Sequence, residues 1–376
     1  MSLTGLPLRV VLIAGLLIAV AATVWLWPKL AGPRFQQVLG RVGVLMLVNI
    51  LTLVAVGAQV NATYGLFADW SDLAGSLGGT APGFAISVGA SGGVGTPVAA
   101  ADGRILRYVV RGPRSGITAD VVVRFPEGYY APGAGSRRYP VLETFQTTPG
   151  TPSMYVDNLG LSHLADELSW QHTLADVLIV SPETAIPVGA DTECVNGVHG
   201  QQDLETWLTV DVPNWVIAHF RAKTDRTSWA TFGMSSGGWC AAMGALLHPD
   251  RYGAAIVFGG YFSPVFDQQV SGAPGAGFAA RYDLVSLVRR HPPPVSLWLQ
   301  TSQADTISYQ SSEAFLAAAR APMVIGGLLL IHVGHRMGIW QMEMPRALVW
   351  LGQTESGFSA GRDGVASPAP APGPRH

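Results

Sequence analysis

Ser235 stands in a sequence that could make it a nucleophile. It is the centre of a Gly-x-Ser-x-Gly motif between Gly233 and Gly237, with an apolar run at residues 229–232 before it and an Ala-rich, helix-forming run after it. A sharp turn from strand to helix presents such a serine at a helix N-terminus, where backbone N–H groups point outward. Glycines are expected on both sides because a side chain there would collide with the neighbouring strand or helix. The alternative is an ordinary tight strand-to-helix turn.

The same five-residue pattern occurs twice more, around Ser91 and Ser359. Ser91 lies in a Gly/Pro-rich stretch with no helix pattern behind it, and Ser359 lies close to a C-terminal Pro/Ala-rich tail. Because a chain with 45 glycines can form the pattern by chance, the surrounding elements have to decide between the copies. Only Ser235 has both a strand and a helix pattern beside it, and we predict it as the nucleophile.

A serine nucleophile needs an imidazole to take its proton and a carboxylate to hold that imidazole in the right tautomer. After a turn of this kind the chain order is serine, acid, histidine. An apolar run at residues 325–333 is expected to be a buried strand, and His332 and His335 are the candidate histidines at its end. We predict His335, because it falls in a loop at the end of that strand, whereas His332 is expected inside the strand and in its packing.

The acid must come from the carboxylates between the serine and these histidines, which are Asp250, Asp267, Asp283, Asp305 and Glu313. We predict Asp305, because it lies in the loop that leaves an apolar strand at residues 295–299. Open parallel sheets bind their substrates at the carboxyl ends of strands, where this loop belongs. Asp267 is the reserve candidate, and the alternative for Asp305 is a surface residue that begins the next helix.

The oxyanion of a tetrahedral intermediate needs two hydrogen-bond donors. Ser236 would supply one backbone N–H by its position after the nucleophile, and the loop at residues 145–150 would supply the other. The alternative for that loop is a simple Pro-Gly turn, which is compatible with the functional interpretation.

The chain has two cysteines, Cys194 and Cys240, which are too few and too far apart for a metal-binding signature. In an outward-facing domain we predict a disulfide between them, which would pin a loop to the helix after Ser235. The alternative is a pair of buried free thiols. The sequence predicts neither a metal ion nor a cofactor.

Two long apolar runs, at residues 10–27 and 42–60, indicate membrane-spanning helices. Each is close to the ~20 residues that cross a bilayer core of ~30 Å. The alternative for the first run is a cleaved signal peptide, but its apolar core exceeds the usual 7 to 15 residues. The loop between the runs carries Lys29, Arg34 and Arg41, so the positive-inside rule places it in the cytoplasm and everything after residue 60 outside.

Net charge excludes one class of partner. The formal charge is −2 and there is no basic block, which gives no electrostatic case for nucleic-acid binding. The expected partner is instead a small ester or lipid-like substrate.

From residue 105 onward, apolar strand patterns alternate with helix patterns, which predicts an α/β fold with a mostly parallel sheet flanked by helices. Residues 105–110 and 119–125 are expected to open it as a hairpin. The predicted organisation is a membrane anchor at 1–61, an aromatic and then Gly/Ala-rich linker at 62–101, a catalytic domain at 102–354 and a disordered tail at 355–376.

These residues resemble the esterase D and mycolyltransferase group of α/β-hydrolases. The matching segments are Arg138-Tyr-Pro-Val-Leu, Gly233-Met-Ser-Ser-Gly-Gly, Ser302-Gln-Ala-Asp305 and Gly334-His335 with Trp340 behind it. The resemblance covers about residues 105–351 and implies an α/β-hydrolase fold. It also implies Ser235 as nucleophile, Asp305 as acid and His335 as base, with Ser236 and Thr148 as oxyanion donors. The chain departs from the group in its oxyanion loop, where Gln146-Thr147 replaces a pair that often ends in glycine.

The resemblance and the two apolar runs together predict a membrane-anchored, extracytoplasmic serine esterase that works through an acyl-enzyme. One alternative is an acyltransferase of the cell envelope that uses the same three residues. Another is a catalytically silent binding protein that keeps the fold.

Overall fold

The computed structural model of the chain describes residues 3, 5–32, 34–64, 66–67, 70, 73–74, 104–187, 190, 192–197, 202–265 and 276–360. Ser91, Asp267, most of the predicted linker at 62–101 and the end of the predicted tail at 361–376 lie outside these residues.

Two N-terminal helices, α1 (Leu6–Leu26) and α2 (Phe35–Tyr64), contain the predicted apolar runs almost completely. Their apolar stretches have mean hydropathies of 2.3 and 2.2 and are long enough to cross a bilayer. Few of their side chains are buried within the protein. By length and composition they are candidate membrane spans, and the first also has the position of a signal sequence.

The rest of the described chain is built on one eight-stranded sheet with the order β1-β2-β4-β3-β5-β6-β7-β8. The strands β1 and β2 form the predicted hairpin, β2 runs antiparallel to β4, and all other neighbours are parallel. The predicted α/β architecture with a mostly parallel sheet is therefore confirmed. The strands are β1 (Ile105–Arg111), β2 (Thr118–Arg124), β3 (Val141–Phe145), β4 (Leu178–Pro182), β5 (Trp229–Met234), β6 (Ala254–Phe258), β7 (Ser296–Ser302) and β8 (Val324–Leu330).

Helices cover both faces of this sheet, because its central strands are apolar on both sides. The helices are α3 (Met154–Asp157), α4 (Leu161–Trp170), α5 (Leu204–Thr206), α6 (Val212–His219), α7 (Ser236–Leu247), α8 (Ala276–Arg281), α9 (Leu284–Arg290), α10 (Tyr309–Ala318) and α11 (Met337–Thr354). One face of the sheet packs against α7, α9 and α10 and the other against α3, α4 and α11, giving two separate apolar cores. Between α5 and α6 the helix continues through a π-helical segment, Trp207–Asp211.

The last strand differs from its prediction. The apolar run at residues 325–333 was expected to be a buried strand containing His332, but β8 ends at Leu330 and His332 follows it, exposed and with a left-handed φ of 60°. The strand is also half exposed, with Leu329 retaining 54% of its accessible surface. Its place at the edge of the sheet explains this, because it has a neighbouring strand on one side only.

The C-terminal boundary was also predicted too early. After α11 the chain forms a short 3₁₀ turn, Ser356–Phe358, and the Phe358 ring is fully buried in the core beneath α4 and α11. The backbone carbonyl of Phe358 accepts a hydrogen bond from the Ala175 N–H at 2.8 Å. Residues 355–358 are therefore packed against the domain and are not part of a disordered tail.

Candidate active site

Ser235 lies on a sharp turn between β5 and α7. Its φ of 54° and ψ of −123° are unusual for a residue with a side chain, and its N–H donates to the Phe258 carbonyl at 2.8 Å. A Cβ on Gly233 would lie 1.9 Å from the Gly237 oxygen, and one on Gly237 would lie 2.1 Å from the Phe145 oxygen. A carbon atom cannot lie this close to an oxygen atom, so neither position can hold a side chain. This is the collision that the motif predicts for any residue other than glycine at these two positions.

His335 lies in the loop between β8 and α11, as predicted, and faces the serine. Its Nε2 is 2.8 Å from Ser235 Oγ, and its Nδ1 is 2.8 Å from Asp305 Oδ2. The imidazole is buried and the Trp340 ring packs edge-on against it, with 4.6 Å between the ring centroids. The three predicted residues therefore form one continuous hydrogen-bonded run, although they come from three separate loops.

Asp305 is buried and receives several hydrogen bonds besides the one from the histidine. The backbone N–H groups of Ile307 and Ser308 donate to its Oδ1 at 3.0 and 3.1 Å, and the Ser308 hydroxyl donates to Oδ2 at 2.6 Å. Burial alone would raise the pKa of this carboxyl, but the hydrogen bonds from His335 and Ser308 outweigh it and hold the pKa below its usual range. An ionised Asp305 keeps the proton of His335 on Nδ1, so the Nε2 lone pair faces the serine hydroxyl.

Ser308 was not singled out from the sequence. Its only sequence signal is its position three residues after an aspartate at the start of a helix, which is common for Asp and Ser pairs that cap helices. The other acid candidates within the described residues have different surroundings. Asp283, for example, caps α9 by accepting a hydrogen bond from the Ser286 N–H at 2.9 Å.

The two predicted oxyanion donors also lie together. Ser236 is the first residue of α7, so helix geometry leaves its backbone N–H without an acceptor four residues earlier. Thr148 is in the loop after β3, and its N–H donates to the Ser236 hydroxyl oxygen at 2.8 Å. This side-chain contact could not be read from the sequence, because it joins residues 88 positions apart.

Cys194 and Cys240 form a disulfide in the structure. It ties the loop before α5 to the second turn of α7, the helix that begins behind Ser235. The neighbouring Glu193, which the sequence did not reveal, reinforces this connection. Its carbonyl accepts a hydrogen bond from Trp239 Nε1 at 2.7 Å, and its carboxylate accepts one from the Tyr261 hydroxyl at 2.7 Å.

Among the residues that the structure describes, acidic, histidine and cysteine side chains do not cluster in a way that suits a metal. Within the described ranges, no group of three or more of these residues has the arrangement of a metal site.

Phe67, three residues after α2, lies near the same region. Asn61, near the end of α2, exchanges two hydrogen bonds with the Phe67 backbone, at 2.7 and 3.1 Å. The Phe67 ring in turn lies under the guanidinium group of Arg336, 5.2 Å from the ring centroid, and Arg336 directly follows His335. The end of the second apolar helix is therefore linked to the histidine loop through one aromatic side chain.

The mostly parallel sheet, the strained serine turn and the helices on both faces define an α/β-hydrolase fold. The chain also matches the model of the esterase family, described as "Putative esterase", over residues 115–350. Because this match covers well over half of the chain, the protein belongs to the esterase family. Membership places residues 115–350 among the esterases.

Solved structures with the same fold carry related descriptions. A ferulic acid esterase is 16% identical, with a TM-score of 0.55, and the match covers 66% of this chain and 96% of that one. An S-formylglutathione hydrolase from Agrobacterium tumefaciens is 18% identical, with a TM-score of 0.54 and coverages of 67% and 95%. The fluorophosphonate-binding serine hydrolase FphF of Staphylococcus aureus is 15% identical, with a TM-score of 0.53 and coverages of 66% and 97%. At these identities the likeness concerns the fold.

A curated relative is the uncharacterized protein Cgl0967/cg1104 of Corynebacterium glutamicum. It is 28% identical over 170 residues, which are 43% of this chain. The match spans only 39% of that relative's own length.

Proposed function

We propose that the protein is a membrane-anchored, extracytoplasmic serine esterase that hydrolyses carboxylic esters through an acyl-enzyme. The observation that carries the proposal is the hydrogen-bonded run from Asp305 through His335 to Ser235 on the strained turn. The buried carboxylate of Asp305 holds His335 in one tautomer, and His335 can then take the proton of the Ser235 hydroxyl. This is what a serine hydroxyl needs to become nucleophilic near neutral pH.

In the proposed reaction, Ser235 Oγ attacks the ester carbonyl carbon while His335 Nε2 takes the hydroxyl proton. The carbonyl π electrons move to the oxygen, and the resulting oxyanion is held by donors around Ser236. When the tetrahedral intermediate collapses, the bond to the alcohol breaks and His335 returns the proton to the leaving oxygen. A water molecule then repeats the sequence on the acyl-enzyme, giving the carboxylic acid and free serine.

Two features support an active site at the extracytoplasmic surface of the membrane that α1 and α2 would span. The basic residues Lys29 and Arg34 lie between α1 and α2, and Arg41 lies in the first two turns of α2. This cluster favours a cytoplasmic loop and an external catalytic domain. The contact of Phe67 with Arg336 keeps the histidine loop beside the end of α2. Esters presented at the bilayer surface are therefore the substrates we propose.

The test is turnover of p-nitrophenyl esters by the detergent-solubilised full chain, with Ser235→Ala and Ser359→Ala compared with the wild type. Ser359 is a matched control, because it occupies another Gly-x-Ser-x-Gly pattern but is exposed and far along the chain. Activity that survives in Ser359→Ala and is lost in Ser235→Ala supports the proposal, and activity that persists in Ser235→Ala refutes it.

Two further readouts address the rest of the proposal. A membrane-impermeant fluorophosphonate should label the protein in intact cells, whereas labelling only after lysis would refute the external orientation. Product analysis in the presence of a sugar acceptor distinguishes hydrolysis from acyl transfer by the same acyl-enzyme.

A further inference from the structure

The Ser236 side chain contacts the backbone group that was expected to be the second oxyanion donor. Its Oγ accepts the N–H of Thr148 at 2.8 Å. Thr148 is exposed and Ser236 is half-buried, so this hydrogen bond lies at the opening of the site and not in the core. As long as it stands, the Thr148 N–H points at a hydroxyl oxygen and is not available to a substrate.

The loop that carries Thr148 is held in this position by its own contacts. Gln146 Nε2 donates to Glu183 Oε1 at 2.6 Å, and the Thr147 hydroxyl donates to the Pro149 carbonyl at 2.8 Å. Gln146 and Thr147 are both buried. These contacts fix the residues on both sides of Thr148, because a buried donor or acceptor that loses its partner destabilises the fold.

A hydroxyl that accepts one hydrogen bond still has a proton to donate. The O–H of Ser236 rotates freely about the Cβ–Oγ bond, and accepting the Thr148 N–H polarises it and makes it a stronger donor. The backbone N–H of Ser236 is directed toward the same region, because this residue follows the nucleophile at the start of α7.

We propose that Ser236 supplies both oxyanion donors, its backbone N–H and its hydroxyl, and that the Thr148 N–H supports the hydroxyl from behind. This inference rests on the proposed function and deepens it. Ser236 thereby becomes a catalytic residue through its side chain, while Thr148 becomes a positioning residue. The hydroxyl keeps its proton throughout, because it only donates a hydrogen bond to the oxyanion.

The test compares kcat and KM of Ser236→Ala and Ser236→Thr with the wild type, using p-nitrophenyl butyrate and the solubilised full chain. Removing one oxyanion donor costs ~10²–10³ in kcat. Ser236→Ala should therefore lose ~10² in kcat with KM within ~3-fold, whereas Ser236→Thr keeps a hydroxyl and should stay within ~10-fold of wild-type kcat.

A second readout is the affinity for a trifluoromethyl ketone, which forms an oxyanion when the serine adds to it. Ser236→Ala should weaken this inhibitor by about the same factor as kcat, because a transition-state contact is lost in both. If the hydroxyl had only a structural role, its removal would not change the inhibitor affinity and kcat by the same factor.

Three results would overturn the inference. They are a kcat loss below ~10-fold in Ser236→Ala, a gain in kcat in that variant, or equal losses in the alanine and threonine variants. A gain would mean that the hydroxyl obstructs the oxyanion site. Failure of this inference is distinguishable from failure of the proposed function, because Ser235→Ala alone reports on the nucleophile.

Discussion

Glu143 is a carboxyl group in the middle of β3 with no accessible surface. We predict that it makes the stability of the domain depend on pH. Its Oε2 lies 2.7 Å from the Tyr252 hydroxyl, whose oxygen is also 3.3 Å from the Leu208 carbonyl. A protonated Glu143 can donate to the Tyr252 oxygen, which then donates to Leu208. Burial raises the pKa of Glu143 to about 8, although the hydrogen bond with Tyr252 and the charge of Arg251 both act to lower it.

The sign of the effect follows from the two pKa values. A folded-state pKa of about 8 against an ordinary 4.5 means that the folded protein holds a proton which the unfolded chain has released. The free energy of unfolding therefore falls as pH rises from the ordinary pKa toward the folded one. At 1.36 kcal/mol per pKa unit, the loss between about pH 5.5 and about pH 9 comes to ~3 kcal/mol. For a domain of this size that is a shift of ~6–12 °C in Tm.

The variant Glu143→Gln keeps the shape of the side chain and cannot ionise. We expect its Tm to exceed that of the wild type by an amount that grows with pH, measured by differential scanning fluorimetry of the solubilised full chain. Glu167→Gln is the matched control, because Glu167 is exposed on α4 and its replacement should leave the pH profile unchanged. A constant difference between Glu143→Gln and the wild type across this pH range would refute the reasoning.

Two other predictions concern the acid residue of the site and the disulfide beside it. Asp305→Asn should lower kcat for p-nitrophenyl butyrate by ~10³–10⁴, because the amide no longer fixes the tautomer of His335; Asp283→Asn, at a helix cap, should retain activity, and comparable losses in both would contradict the assignment. The Cys194→Ala/Cys240→Ala variant opens a connection between residues 46 apart and should lose ~4 kcal/mol of unfolding free energy, read as a lower midpoint in a denaturant titration. A midpoint equal to that of the wild type would show that the disulfide does not constrain the unfolded chain.

The sequence was most informative where chemistry constrains local geometry. The serine turn needs Gly233 and Gly237 for steric reasons, so its strand and helix context was enough to choose it over the copies around Ser91 and Ser359. The parallel sheet was readable because its central strands are short apolar runs between helix patterns. His335 and Asp305 followed from chain order and from their places after strands.

Features that depend on contacts between distant segments could not be predicted in this way. The hydrogen bonds of Glu193, Ser308 and the Thr148–Ser236 pair arise only once the sheet has brought loops together. The exposure of β8 depends on its edge position, which its composition does not reveal, since an apolar run is typical of a buried strand as well. Phe358 was misjudged because its Gly- and Ser-rich surroundings look like the start of the tail.

The central claim is that Ser235 forms the covalent intermediate. The most direct measurement is mass-spectrometric peptide mapping of the solubilised wild-type protein after reaction with a fluorophosphonate. The account predicts a single adduct on Ser235, with none on the adjacent Ser236 and none in the Ser235→Ala protein. An adduct on another serine, or stoichiometric labelling of folded Ser235→Ala, would contradict it.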